Sequence, residues 1–138
     1  MNNKNKVKLT LNSCSNEETI CLTYLADRYV KGVNQYFRYT EVEGTGRTVT
    51  LLKVGPEEIR VIRQGDIESE QTFAVGEFRP GFYRTEQGTL QLSTQTSLVS
   101  VHLEEGLGTV EWAYEMHLAG EFVGKYQLAV LIEEAGLC

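Results

Sequence analysis

TVEWAYEMHL, residues 109–118, alternates without a break. Val110, Trp112, Tyr114, Met116 and Leu118 fall on one side, with Thr109, Glu111, Ala113, Glu115 and His117 on the other. A period of two describes a strand with one face toward a core and one toward water. The pattern recurs on either side of this stretch. QYFRYTEVE (35–43) groups Phe37, Tyr39 and Glu41, and TLQLSTQTSL (89–98) groups Leu90, Leu92 and Leu98 with Thr94 and Thr96 between them. EIRVIRQG (58–65) sets Ile59 and Val61 inward, and Arg63 follows them by parity. Apolar residues nowhere repeat at helical spacing for three turns, so no long helix is predicted.

Turn signals separate these runs at regular intervals. They fall at Ser15-Asn16, Lys31-Gly32, Gly44-Thr45-Gly46, Gly55-Pro56, Gln64-Gly65-Asp66, Pro80-Gly81, Gln87-Gly88, Gly106-Leu107-Gly108 and Ala119-Gly120. Short strands joined by such turns predict an up-and-down antiparallel meander, and closing it into a β-barrel removes the exposed edges. The expectation is an all-β, closed barrel of roughly eight to ten strands. It forms one domain over 1–138, with residues 1–6 as a frayed tail.

The net charge of −6 argues against nucleic acid as a partner, since phosphate binding needs a basic surface. No apolar run approaches the roughly 20 residues that a membrane-spanning helix requires, and MNNKNKVK at the start lacks the apolar stretch of a signal peptide. Three cysteines, Cys14, Cys21 and Cys138, form an odd count with no CxxC pair. Reduced thiols in the cytoplasm are the expectation, although Cys14 and Cys21 flank a turn and could face each other across a hairpin. His102 and His117 are too few for a histidine-rich metal site. No nucleophile elbow or phosphate loop is present either. No cofactor, metal or catalytic constellation is expected.

The lumen is the place to look. Tyr39, Tyr114 and Tyr126 are assigned inward with Trp112, and a buried tyrosine hydroxyl needs a partner. Glu41 is inward by parity and charged, as Arg63 is. An isolated buried charge costs several kcal/mol, so each needs a counter-charge or water. One reading, the favoured one, pairs Arg63 with Glu41 inside the barrel. The other has Arg63 receive an anionic head group, because planar guanidinium donors suit a carboxylate or phosphate. A bulge before Gly65 would turn Arg63 outward and remove both.

FRYTE (37–41), RTVTLLKV (47–54), EIRVIRQG (58–65), TFAVGE (72–77), GTLQLSTQT (88–96) and VEWAYEMHLAGE (110–121) together resemble the bacterial YwiB-like family. The resemblance covers residues 7–134 and implies a calycin-like, or lipocalin-like, β-barrel. It places Tyr39, Glu41, Arg63 and Gly65 on the family's recurrent Y-x-E and R-x-G positions. It implies no activity and supplies no catalytic residues. Secreted lipocalins carry an N-terminal G-x-W, whereas the one tryptophan here is Trp112, late in the chain.

Two functions compete. The first is a non-enzymatic barrel that binds a small anionic or amphipathic molecule through its mouth. The second is a filled barrel that acts through its outer surface, as a homodimer or a protein–protein interaction module. An enzyme using Arg63 and Glu41 ranks third. An open cavity with unpaired polar groups favours the first, and packed side chains favour the second.

Overall fold

The computed structural model describes residues 5–15, 18–43 and 46–135. Among these, ten strands and no helix form: β1 (Asn5–Ser15), β2 (Glu18–Lys31), β3 (Asn34–Glu43), β4 (Gly46–Val54), β5 (Glu58–Gly65), β6 (Glu68–Ala74), β7 (Phe78–Thr85), β8 (Gly88–Glu104), β9 (Leu107–Leu118) and β10 (Glu121–Glu134). Each strand pairs antiparallel with the next. β10 returns to β1, from Val7–Glu134 to Ser15–Tyr126, and closes the barrel. The predicted meander and its closure are both realised. β1 already includes Asn5 and Lys6, and Lys6 meets Asp27 of β2 at 2.8 Å. The rest of the expected tail, residues 1–4, lies outside the described residues.

Most predicted turns fall within about a residue of where they were placed. Ala119-Gly120 is as placed, and the loop expected at Lys31-Gly32 is Gly32-Val33. That expected at Gly106-Leu107-Gly108 is Glu105-Gly106, with Leu107 and Gly108 already in β9. The Ser15-Asn16 and Gly44-Thr45-Gly46 turns involve residues 16 and 44–45, which are not described. The Pro80-Gly81 prediction is wrong. Both residues lie inside β7, opposite Ser93 and Leu92, and the chain turns earlier, at Val75-Gly76-Glu77. Gly76 takes a φ of +78°, and the turn is held by Gly76 N–H to Thr96 O and Glu77 N–H to Ala74 O. β7 pairs with β6 only from Glu68–Arg84 to Glu70–Phe82. Pro80 therefore has only β8 as ladder partner, an edge-like position where a missing N–H costs least.

One parity assignment also fails. Leu92, Thr94 and Thr96 of β8 are buried as expected, but Leu98 is 38% exposed on the outer surface. The ladder with β9 shifts between Thr96 and Leu98, so Val99 stands opposite Trp112 and Val101 opposite Val110. One inserted residue reverses every side chain beyond it. Val99, Val101 and Leu103 pack on the core in its place.

The two ends of the barrel differ. Toward the chain termini and the β2–β3, β4–β5 and β8–β9 turns, the interior is filled. Leu9, Phe37, Ile59 and Val110 there have no solvent exposure, and Val130 and Ile132 are nearly as buried. Each such side chain contributes about 1.5–3 kcal/mol by leaving water. Toward the β5–β6, β7–β8 and β9–β10 turns, the interior opens.

Candidate functional site

The register aligns one inward row around half of the barrel. Tyr39 pairs with Thr50, Thr50 with Arg63, Arg63 with Ser69, Ser69 with Tyr83 and Tyr83 with Leu90. This row rims a cavity of about 420 Å³. Leu52, Val61, Phe73, Trp112 and Leu128 form its apolar depth, and Gln71, Tyr114 and Tyr126 add polar groups along the wall. The volume lies within the range of small-molecule sites, which are concave, mostly apolar and carry a few placed polar groups.

Arg63 points inward, as parity requires, because the β4–β5 ladder runs without a bulge from Thr48–Gly65 to Val54–Ile59. Its Nε donates to Oε2 of Glu41 at 3.2 Å. The Thr50 hydroxyl donates to the same oxygen. The expected pair is therefore formed, but at the cavity mouth and not in the core. Side-chain exposure is 33% for Arg63 and 27% for Glu41. The other guanidinium N–H groups make no hydrogen bond among the described residues, and Arg63 also borders a second hollow lined by Thr48, Asp66 and Ile67.

Aromatic rings pave one side. Phe73 lies 4.5 Å from Tyr114 and 5.7 Å from Trp112, Tyr114 stacks on Tyr126 at 5.4 Å, and Tyr39 meets Tyr24 at 4.7 Å. Burial pushes the Tyr39 hydroxyl well above the ordinary tyrosine pKa, and the nearby Glu41 carboxylate pushes it further. Burial raises Tyr114 likewise, with Tyr126 second. Both rings stay neutral and can donate a proton to a hydrogen bond across the physiological range.

Two buried polar atoms of lining residues, Ser69 Oγ and Trp112 Nε1, have no protein partner. Gln71 Nε2 donates to the Met116 sulfur at 3.7 Å, and the Gln71 side chain also lies within hydrogen-bonding reach of the Tyr114 hydroxyl. All six residues singled out from the sequence are in the region, since Tyr39, Arg63, Trp112, Tyr114 and Tyr126 line the cavity and Glu41 ties down Arg63. Sequence reasoning missed Ser69, Gln71 and Phe73. Their signal was present, because ESEQTFA (68–74) places them at alternate positions, but serine and glutamine conceal an inward face.

The remaining candidates scatter. His102 is exposed on β8, and His117 lies on the outer wall between Phe78 and Phe122, at 5.3 and 5.7 Å. Cys14 and Cys21 are free and exposed. Register sets Cys14 against Thr19 and Cys21 against Asn12, two residues out of step. Cys138 lies outside the described residues. Among the described residues no cluster of three or more His, Cys, Asp or Glu could hold a metal ion, and no helix is long and apolar enough to cross a membrane.

Residues 6–130 match the family described as Domain of unknown function (DUF1934). The chain belongs to that family. Its similarity to the "Uncharacterized beta-barrel protein YwiB" of Bacillus subtilis (strain 168) is 29% identity over 127 residues, covering 92% of this chain and 89% of the relative. The crystal structure of the ywiB protein from Bacillus subtilis superposes with a TM-score of 0.88 at 27% identity, covering 99% of this chain and 96% of that one. The YwiB-like resemblance is thereby established, and with it the barrel.

In this DUF1934 barrel the energetics of the Arg63–Glu41 pair follow from its position. A fully buried pair broken on one side costs about 3–5 kcal/mol, whereas water at the mouth solvates whichever charge is left behind. Arg63→Met and Glu41→Gln should each cost about 1–2 kcal/mol in urea unfolding, between the exposed and buried limits. The double variant should show a coupling of roughly 1 kcal/mol. Additive losses would mean that the pair does no joint work.

Proposed function

We propose that this barrel is a non-enzymatic binding protein for a small amphipathic molecule, held with its apolar part in the cavity and its anionic head at Arg63. The observation that carries the reading is the apolar cavity of about 420 Å³ with two buried polar atoms, Ser69 Oγ and Trp112 Nε1, left without a protein partner. Such atoms cost about 1–3 kcal/mol each when unsatisfied, and a bound molecule or water relieves that cost. The open volume also argues against a filled core. Glu41 occupies one donor of Arg63, and the outer edge of the guanidinium still faces the mouth, where a carboxylate or phosphate can take two N–H groups.

The reading is non-enzymatic because, among the described residues, the cavity wall brings no histidine or cysteine to these groups, and the Glu41 carboxylate beside Arg63 already accepts from Arg63 and Thr50. A net charge of −6 keeps nucleic acid out of the proposal. Free, exposed Cys14 and Cys21 suit a reducing compartment, so we place the protein in the cytoplasm.

Trp112 makes the test direct, because it is 2% exposed and lines the site. Decanoate, decanol and the fluorescent sulfonate 8-anilinonaphthalene-1-sulfonate serve as probes. Each should change Trp112 emission with one-to-one saturation, and iodide should quench the free protein poorly. Arg63→Met should weaken decanoate about tenfold, the loss of one charge-assisted contact, and leave decanol unchanged. Linear, unsaturated responses from all three probes would sink the proposal.

A further inference from the structure

Three hollows follow one another at the open end of the barrel and share lining residues. Arg63 belongs to the apolar cavity and to the hollow beside it, which Asp66 and Ile67 also line. Asp66 and Ile67 in turn belong to a third hollow, between the β5–β6 and β7–β8 turns, lined on its other side by Glu86. Elsewhere the wall is covered. β2 and β3 part beyond Asp27–Arg38, and there Tyr24 packs on Tyr39 at 4.7 Å across the seam. The polar end of a bound molecule therefore leads outward past Arg63 toward Asp66 and Glu86.

Charge changes sign along this path. Among the described residues that line the cavity, Arg63 is the only charged one. Ser69 and Tyr83 stand beside it in register on β6 and β7, and Ser69 is 2% exposed with its Oγ lacking a protein partner. One guanidinium and two hydroxyls suit an oxyanion with a single negative charge. Farther out, the third hollow is lined by two carboxylates and by no lysine or arginine. Asp66 accepts the Arg47 backbone N–H at 3.2 Å, and neither Asp66 nor Glu86 has an ion-pair partner among the described residues. The neighbouring Arg84 is held by Glu68 at 2.9 Å. A second negative charge on the ligand would be repelled there, and a positive one attracted.

We propose that the ligand is a single-chain zwitterionic amphiphile, with a phosphodiester anion at Arg63, Ser69 and Tyr83 and an ammonium group beyond it at Asp66 and Glu86. The order of charges selects the anion. It must join the apolar chain to the ammonium group, and a phosphodiester links two substituents while a carboxylate or phosphomonoester ends the molecule. Its two free oxygens match the guanidinium on one side and the hydroxyls on the other. This inference rests on the binding reading above and adds the second charge of the head group and its place.

Titration of Trp112 emission in the full-length chain tests it with decyl probes that differ in head group: decylphosphocholine, decanoate, decyltrimethylammonium and decanol. At low salt decylphosphocholine should bind about tenfold more tightly than decanoate, and the gap should narrow as salt screens the carboxylates. Asp66→Asn combined with Glu86→Gln should bring the two probes to within about twofold. Glu86→Gln alone, in an exposed turn, should close part of the gap and serves if the double variant does not fold. Arg63→Met should weaken both anionic probes. Decanoate binding as tightly as decylphosphocholine overturns the inference and leaves the amphiphile-binding reading standing, as does decyltrimethylammonium matching decylphosphocholine. Linear responses from every probe remove both. Co-sedimentation with phosphatidylcholine vesicles, without saturable binding of monomeric decylphosphocholine, also overturns it, because the head group would then be read on a membrane surface.

Discussion

Phe37→Ala should destabilise the barrel by about 3–5 kcal/mol, the cost of removing a large ring from a core that closes over it only in part. Phe37 has no solvent exposure and stands between Leu52 of β4 and Arg28 of β2 at the filled end. A typical domain is stable by only about 5–15 kcal/mol, so the urea midpoint should fall steeply and the variant be partly unfolded near body temperature. Leu90→Ala supplies the contrast. Leu90 points inward by parity as well, but it lies at the rim and is 50% exposed, so its loss should cost under about 1 kcal/mol. Equal losses at the two positions would mean that the barrel is uniformly packed or uniformly open. Either result would remove the distinction on which the cavity rests.

Gly65→Ala should cost about 2–3 kcal/mol, mostly as backbone strain. Gly65 ends β5 with a φ of +148°, and a Cβ there would lie 2.3 Å from the Arg47 carbonyl oxygen and 2.8 Å from the Thr48 Cα. Both obstacles are backbone, so no rotamer change relieves them. The end of β5 must move away from β4, against the Asp66 N–H bond to Arg47 O. Arg63 is two residues away on the same strand, and its 3.2 Å contact with Glu41 should lengthen with that movement. In the Gly65→Ala background the coupling between Arg63→Met and Glu41→Gln should therefore shrink toward zero. A stable Gly65→Ala protein with full coupling would show that the glycine is not what brings β5 against β4.

Much of the architecture was legible because strand periodicity is local. Val110, Trp112 and Tyr114 alternate with Glu111 and Ala113, and nothing distant is needed to see which side faces the core. The six lumen candidates came from the same parity, and it led to one region of the barrel. The errors fall where parity depends on a partner strand. Leu98 was assigned inward because a bulge is a mismatch between β8 and β9, and it leaves no mark in β8 alone. Pro80-Gly81 was taken for a turn because proline and glycine adjoin there, whereas Gly81 serves a close approach to the Glu70 carbonyl, 2.2 Å from where a Cβ would be. Ser69 and Gln71 were passed over because polar side chains on an inward face look like an outward one.

By itself the sequence determined the strands and the meander, and it favoured the pairing of Arg63 with Glu41 over an anion site at Arg63. These depend on alternation, turn chemistry and the requirement that an inward charge find its opposite. Only the tertiary structure decided that the pair lies at a mouth and not in a core, that one end of the barrel is filled and the other open, and that β2 and β3 part halfway along. The reason is common to all three. Strand direction follows from neighbouring residues, whereas depth, volume and the loss of a ladder depend on how far apart ten strands stand once the sheet has closed.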